Sequence, residues 1–128
     1  MNGSFSGERH TRKEKGAAAE NAAVQYLTSQ GYRVLERNWR CRSGELDIIS
    51  ELGQTLVFVE VRSRSGSLLQ GTPEESVNWR KIRQVRSTAQ VYLYRHKLEE
   101  RKVSFDVISV LLHEDLQVAS LRHICEAF

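Results

Sequence analysis

The spacing of apolar residues along the chain predicts two helices and five strands. Apolar residues recur at helical spacing in two segments, and the remaining apolar runs are short and rich in β-branched and aromatic residues. A T-x-x-E capping box at Thr72, with proline at the next position, indicates the start of the second helix. The predicted order is α-β-β-β-α-β-β, with elements over residues 13–30, 32–39, 45–50, 55–62, 72–96, 103–112 and 117–124.

The long connection that contains the second helix indicates the fold class. Two strands joined through a helix are expected to run parallel, with a right-handed crossover. The run over residues 103–112 is almost entirely apolar, which is typical of a strand covered on both faces. We therefore expect a single α/β domain over residues 13–128, in which two helices flank a mixed central sheet. Residues 1–12, which lack periodicity, are expected to form a flexible tail.

Composition limits the classes of protein that fit. A chain of 128 residues suits one domain, and its net charge of +3 means that nucleic-acid binding would depend on where the charges lie. Cys41 and Cys125 show no metal-ligand spacing and are too few for a disulfide framework, so reduced thiols are expected. The four histidines are scattered and predict no ligand set. With no signal peptide and no apolar run near the roughly 20 residues that span a bilayer, we expect a cytoplasmic protein with no membrane partner.

Two strand-like runs each carry a carboxylate where a buried strand would normally carry an aliphatic residue. Asp47 lies in Gly-Glu-Leu-Asp-Ile-Ile, and Glu60 lies in Val-Phe-Val-Glu-Val-Arg. Because a buried carboxylate is costly unless it is neutralised, a divalent cation is one explanation for the pair. Mg²⁺ or Mn²⁺ held by such oxygens is what phosphodiester hydrolysis requires. Ion pairs are the other explanation, in which Asp47 pairs with an arginine and Glu60 with Arg62 or Arg64.

Several short motifs together resemble a known family. They are G-x-x-x-E at Gly16, the G-E-L-D around Asp47, the F-V-E-V around Glu60, F-D-V at Phe105 and the chain end H-I-x-x-A-F. This pattern, from residue 16 to residue 128, looks like the signature of YraN-type proteins. That family is similar to archaeal Holliday junction resolvases and to the PD-(D/E)xK nucleases, which include the restriction endonucleases.

The resemblance implies a nuclease-like core, with Glu20, Asp47 and Glu60 at metal-site positions. It also implies a homodimer, since junction-cutting relatives cut two strands symmetrically, although no exposed apolar stripe in the sequence indicates an interface. From the helical pattern alone, Glu20 fits two interpretations. It could point its carboxylate at the sheet, or it could be a surface glutamate paired with a basic neighbour.

Arg62 departs from the family pattern, which usually has lysine two residues after the strand glutamate. Arginine stays protonated, so Arg62 could contact a phosphate but could not act as a general base. Lys81, at the margin of the second helix's apolar stripe, could supply the missing amine by leaning toward the sheet. The alternative is that Lys81 is a solvated surface residue.

Basic residues gather at the strand ends and on the second helix, and clusters of this kind bind phosphates without regard to sequence. The candidate DNA contacts are Arg40, Arg42, Arg62, Arg64, Arg80, Lys81 and Arg83. Trp39 and Trp79 could stack on unpaired bases, but the positions of both favour packing in the core. Three functions remain open: a metal-dependent endonuclease acting on branched or structured DNA, a nuclease-fold DNA-binding module without catalysis, and a protein-interaction domain.

Overall fold

The computed structural model describes residues 10–65 and 78–128. These residues form the predicted single α/β domain, with the element order expected from the sequence. The elements are α1 (Arg12–Ser29), β1 (Arg33–Cys41), β2 (Gly44–Leu52), β3 (Thr55–Ser65), α2 (Trp79–Arg95), β4 (Lys102–Leu112) and β5 (Val118–Ile124).

The strands form one five-stranded sheet in which spatial order follows chain order. β3 and β4 are parallel, as the helical connection between them predicts, and the other three neighbouring pairs are antiparallel. The parallel register places Val59 beside Asp106 and Glu60 beside Val107. The centre of the sheet therefore carries acidic residues on two neighbouring strands.

Side-chain capping determines where each helix begins. The Thr11 hydroxyl accepts a hydrogen bond from the Glu14 amide, and the Glu14 carboxylate accepts one from the Thr11 amide, which completes a capping box for α1. Asn78 caps α2 by accepting from the amide of Lys81. The continuous helix predicted over residues 72–96 is wrong at Asn78, whose backbone is extended, so that α2 begins at Trp79. The capping box expected at residues 72–75 lies outside the described residues, as do residues 66–71 of the loop predicted before it.

The sheet has a separate apolar core on each face. The α1-side core contains Ala23 and Leu27 of α1 packed on Ile48, Val59 and other strand residues. The α2-side core has the same construction around Phe58 of β3. Neither α1 nor α2, the helices of the described ranges, is long and apolar enough to cross a membrane.

The two tryptophans have different environments. Trp39 packs edge-on against Tyr92 with ring centroids 5.2 Å apart, which confirms its predicted role in the core. The same prediction for Trp79 is wrong, because this side chain is 77% exposed. Trp79 is the first residue of α2 and precedes the turns whose apolar stripe reaches the sheet. Its exposed ring leaves an aromatic surface beside the basic residues of α2.

Candidate active site

The regular alternation of β1 and β2 breaks at two facing positions, Asn38 and Asp47. Arg37 pairs with Ile48 and Trp39 with Leu46, so Asn38 and Asp47 lie opposite each other. Leu46 packs in the α2-side core, yet Ile48, two residues later, packs in the α1-side core. On a regular strand these two would share a face. Asn38 has a left-handed φ of 53°, a conformation that asparagine tolerates better than most residues. The local twist turns Asp47 toward α1.

The Asp47 carboxylate takes the place of a backbone partner where β2 and β3 separate. Their regular pairing ends at Ile48 and Val59. Beyond that point, Asp47 Oδ2 accepts a hydrogen bond of 2.9 Å from the backbone amide of Val61. Burial raises the pKa of Asp47, and the Val61 amide and the charge of Lys81 oppose that rise. Asp47 is thus fixed by β3 and lies in the opening between the two strands.

Glu60 is a buried carboxylate with little compensation. It is 2% exposed, and its Oε1 accepts no hydrogen bond from the described part of the chain. Lys81 Nζ of α2 lies 3.4 Å from that oxygen. Burial and, second, the charge of Asp47 raise the pKa of Glu60 to about 7, although Lys81 and Arg62 act against this. Burial and the neighbouring charge of Asp47 thus make ionisation of Glu60 unfavourable.

The contact with Lys81 decides between the interpretations left open by the sequence. Lys81 leans toward the sheet instead of being a solvated surface residue. The cation paired with Glu60 comes from α2, whereas the sequence offered Arg62 and Arg64 as partners on the same strand. Arg62 still lowers the pKa of Glu60, and its Nε is buried without a hydrogen-bond acceptor among the residues described. Both Glu60 and Arg62 thus have buried polar atoms without a hydrogen-bond partner in residues 10–65 and 78–128.

Glu20 reaches the same region from α1 but is held by other residues. It is 9% exposed, and its Oε1 accepts hydrogen bonds from Arg37 Nη2 at 2.8 Å and from Asn38 Nδ2 at 3.0 Å. Both donors contact one carboxylate because the left-handed turn at Asn38 interrupts the strand. The sequence predicted that Glu20, Asp47 and Glu60 share one metal site. In residues 10–65 and 78–128, their carboxylate oxygens do not all lie within 4.8 Å of one another. Glu20 is a buried, paired carboxylate, and its charge contributes to the raised pKa of Asp47.

An open cavity of about 420 Å³ lies over Glu20 and Asp47, between α1 and the sheet. Lys13 and Arg40 line its wall together with the two acids. Arg40 is paired with Glu45 at 2.8 Å, on the surface. The cavity thus combines carboxylates at its base with cationic groups at its wall, an arrangement that suits an anionic ligand bridged by a cation.

The other candidate DNA contacts divide by exposure. Arg42, Arg80 and Arg83 are exposed. For Arg80 and Arg83, which lie on α2, the helical pattern predicted this exposure. Arg62 and Arg64, near the end of β3, are half-buried.

A second cluster, Asp106, His123 and Cys125, was missed by the sequence reasoning. One ligand atom from each lies within 4.8 Å of the others, so this cluster could hold a metal ion. His123 Nε2 is 2.7 Å from Asp106 Oδ2 and 3.7 Å from Cys125 Sγ. A signal was present, because Cys125 follows His123 by two residues at the end of a strand and Asp106 interrupts an apolar run. Spacing along the chain does not indicate the set, because Asp106 lies 17 residues before His123.

Comparison with known proteins gives one consistent family. The model of "Uncharacterised protein family UPF0102" matches residues 19–110. A UPF0102 protein of Persephonella marina is 50% identical over 97 residues, covering 76% of this chain and 83% of that protein. One from Moorella thermoacetica is 44% identical over 118 residues, covering 92% and 98%. One from Myxococcus xanthus is 46% identical over 117 residues, covering 91% and 90%.

Proposed function

The chain belongs to the UPF0102 family, that of the YraN-type proteins, and we propose that it is a metal-dependent endonuclease acting on branched or structured DNA. Family membership confirms the resemblance drawn from the sequence motifs. The activity is inferred from the arrangement of Asp47, Glu60 and Lys81.

One observation carries the proposal: Glu60 Oε1 is buried without a hydrogen-bond donor among the described residues, beside the half-buried carboxylate of Asp47. A buried charged oxygen that accepts no hydrogen bond is rare in proteins, because its desolvation costs roughly 1–3 kcal/mol or more. The ion pair with Lys81 offsets this only in part, since the pKa of Glu60 is still raised. Mg²⁺ and Mn²⁺ prefer carboxylate oxygens and commonly use one or two of them, with water and phosphate completing the coordination. Asp47 and Glu60 match that donor set.

The remaining residues have distinct roles in this proposal. Asp47 and Glu60 hold Mg²⁺ or Mn²⁺, and Glu20 acts through water, since its Oε1 is already bonded to Arg37 and Asn38. When bound, the ion would activate water and stabilise the charge that develops on the phosphate. Lys81 keeps a positive charge 3.4 Å from Glu60, where it can position a water or a phosphate oxygen. Arg62 would contact the scissile phosphate as a fixed cation.

DNA is the proposed substrate because cations surround the acids. Lys13 and Arg40 line the cavity, and Arg80 and Arg83 project from the same helix as Lys81. The exposed ring of Trp79 adds a surface on which an unpaired base can stack. Branched DNA exposes such bases, and a homodimer would present two of these sites to a symmetric junction.

A DNA-binding module without cleavage is the second candidate. It is favoured by Arg62, which replaces the lysine of the family pattern, and by the pairing of Glu20 with Arg37. A protein of this kind would bind DNA in a salt-sensitive manner without needing a divalent ion.

Cleavage assays with near-isosteric variants test the proposal. The protein is incubated with junction, flap and linear DNA in Mg²⁺, Mn²⁺ or EDTA, and Asp47→Asn and Glu60→Gln are compared with Glu51→Gln. Glu51 lies on the same strand as Asp47 but pairs with Arg33 and Arg101, so it serves as the matched control. We expect metal-dependent cutting by the wild type and the control, and loss of cutting in the two site variants.

Three results would reject the endonuclease. Cutting that persists in EDTA or in both site variants would indicate a contaminant or a different site. Salt-sensitive binding without any cutting would favour the binding module. Neither binding nor cutting at low salt would leave the interaction domain. Gel filtration with junction DNA tests the homodimer separately.

A further inference from the structure

We propose that Asp106, His123 and Cys125 form a second metal site, of the zinc class, separate from the acidic site described above. The three side chains come from β4, β5 and the residue just after β5. Asp106 is buried, His123 is half-buried and Cys125 is exposed, so solvent can reach one side of the cluster. Thiolate, imidazole and carboxylate together favour Zn²⁺ over Mg²⁺, which prefers oxygen ligands alone.

The spacing of the ligand atoms suits a tetrahedral ion. Zn²⁺ with ordinary bond lengths would separate a histidine nitrogen and a cysteine sulfur by about 3.6 Å. The distance between His123 Nε2 and Cys125 Sγ is 3.7 Å. The same geometry requires about 3.3 Å between nitrogen and carboxylate oxygen. His123 Nε2 and Asp106 Oδ2 are 2.7 Å apart and need only separate slightly to admit the ion. With three protein ligands, the exposed side leaves a fourth position for water.

The atoms that would not bind the ion are already held by neighbours. His123 Nδ1 is 3.1 Å from the hydroxyl of Tyr26, which fixes the ring with Nε2 toward Asp106. Asp106 Oδ1 accepts from Ser104 Oγ at 2.6 Å and from the Glu126 amide at 3.0 Å. Partners of this kind orient the ligands of metal sites and are usual around histidine and carboxylate ligands.

A nucleophilic triad fits this geometry less well. In a triad the carboxylate holds one ring nitrogen and the nucleophile approaches the other. Here Asp106 and Cys125 both face Nε2 of His123, and Nδ1 is occupied by Tyr26. Because Asp106 and Cys125 both approach Nε2, they are placed as ligands of one metal ion. They are not placed to pass a proton from one ring nitrogen to the other.

The proposed ion would join the end of the sheet to α1. Tyr26 contacts His123 from α1, and it lies six residues after Glu20, a rise of about 9 Å along the helix. The zinc site therefore lies beside the same helix that brings Glu20 to the acidic site. It would stabilise that packing without taking part in the proposed cleavage.

Cobalt spectroscopy on the full chain tests this site directly. Co²⁺ added to the reduced protein is expected to give a thiolate charge-transfer band and the strong visible bands of four-coordinate cobalt, saturating at one ion per chain. Cys125→Ser should remove the thiolate band, and the matched control Cys41→Ser, which changes the other cysteine, should keep it. Tyr26→Phe is expected to weaken binding by about tenfold.

An internal comparison covers the case in which a variant folds poorly. In the wild type, one equivalent of Zn²⁺ should slow alkylation of Cys125 but not of Cys41, as measured by mass spectrometry. The cobalt bands and the protection of Cys125 should persist in the double variant Asp47→Asn, Glu60→Gln. Their persistence would show that this site is independent of the proposed nuclease. Absence of both signals, their retention in Cys125→Ser, or their loss in Cys41→Ser would overturn the site and leave a plain Asp-His hydrogen bond.

Discussion

Replacing Glu60 by glutamine is expected to stabilise the metal-free protein. The wild-type carboxylate is 2% exposed, and its Oε1 accepts no hydrogen bond from the residues described. Glutamine has nearly the same shape and removes the buried charge. Lys81, which loses its partner, can be hydrated because its side chain is 32% exposed. The wild type therefore carries a destabilising charge that a purely structural residue would not need.

The size of the stability gain in Glu60→Gln follows from the pKa of Glu60, which rises from 4.5 to about 7 on folding. Because the folded state binds the proton more tightly, stability is lost as the pH rises through this window. At about 1.4 kcal/mol per pKa unit, the full loss is about 3 kcal/mol above pH 7. Glu60→Gln should therefore be more stable than the wild type by up to about 3 kcal/mol at pH 8, and by little near pH 4.5.

Urea unfolding in EDTA at pH 8 and pH 5 measures this difference. The midpoint of Glu60→Gln should rise at pH 8 with an unchanged dependence on urea, which shows that the same surface unfolds. Glu51→Gln is the control, since Arg101 and Arg33 lower the pKa of Glu51 and its loss should not stabilise. Excess Mg²⁺ should then stabilise the wild type more than Glu60→Gln, because an ion that binds only the folded state shifts the equilibrium toward it.

Two results would refute this reasoning. If Glu60→Gln is less stable than the wild type at pH 8, the contact with Lys81 outweighs the burial of the charge. If its gain is equal at pH 5 and pH 8, the change comes from packing and not from ionisation.

Three further predictions concern the surroundings of the acids. Lys81→Met should lower cleavage by about a hundredfold with little change in DNA affinity, and an unchanged rate would remove Lys81 from the site. Gly44→Ala should lower the free energy of unfolding by about 1–3 kcal/mol. The added Cβ would lie 3.0 Å from Gln84 of α2, at a φ of 149°, so calorimetry showing no loss would contradict that packing. Arg83→Ala should reduce the slope of log affinity against log salt by about one, and an unchanged slope would place Arg83 away from the DNA.

The arrangement of helices and strands was predictable because its causes are local. Apolar periodicity separates helices from strands, and a helical connection makes β3 and β4 parallel. The start of α2 was not predictable in this way. Thr72 and Asn78 both carry capping side chains, and Asn78 is the residue that caps α2 in the folded chain.

Part of the candidate site could also be read from the sequence. Asp47 and Glu60 stood out because the sequence places each carboxylate inside an apolar, strand-like run, where burial is costly. Glu20 was singled out by the resemblance to YraN-type proteins, since the helical pattern alone also fitted a surface glutamate. Its contact with Arg37 and Asn38 depends on a left-handed residue within β1, which no periodicity indicates.

The partners of these groups were decided by the tertiary structure alone. Whether Lys81 meets Glu60 depends on how α2 packs on the sheet, and a lysine at the margin of a helical stripe fits solvent equally well. Asp106 and His123 meet only because β4 and β5 pair in one register, which places residues far apart in the chain side by side. The sequence thus determined which residues are costly to bury, because that cost belongs to each residue and its neighbours. Only the fold determined which cation or ligand lies opposite them, since that depends on the register of strands and the packing of helices.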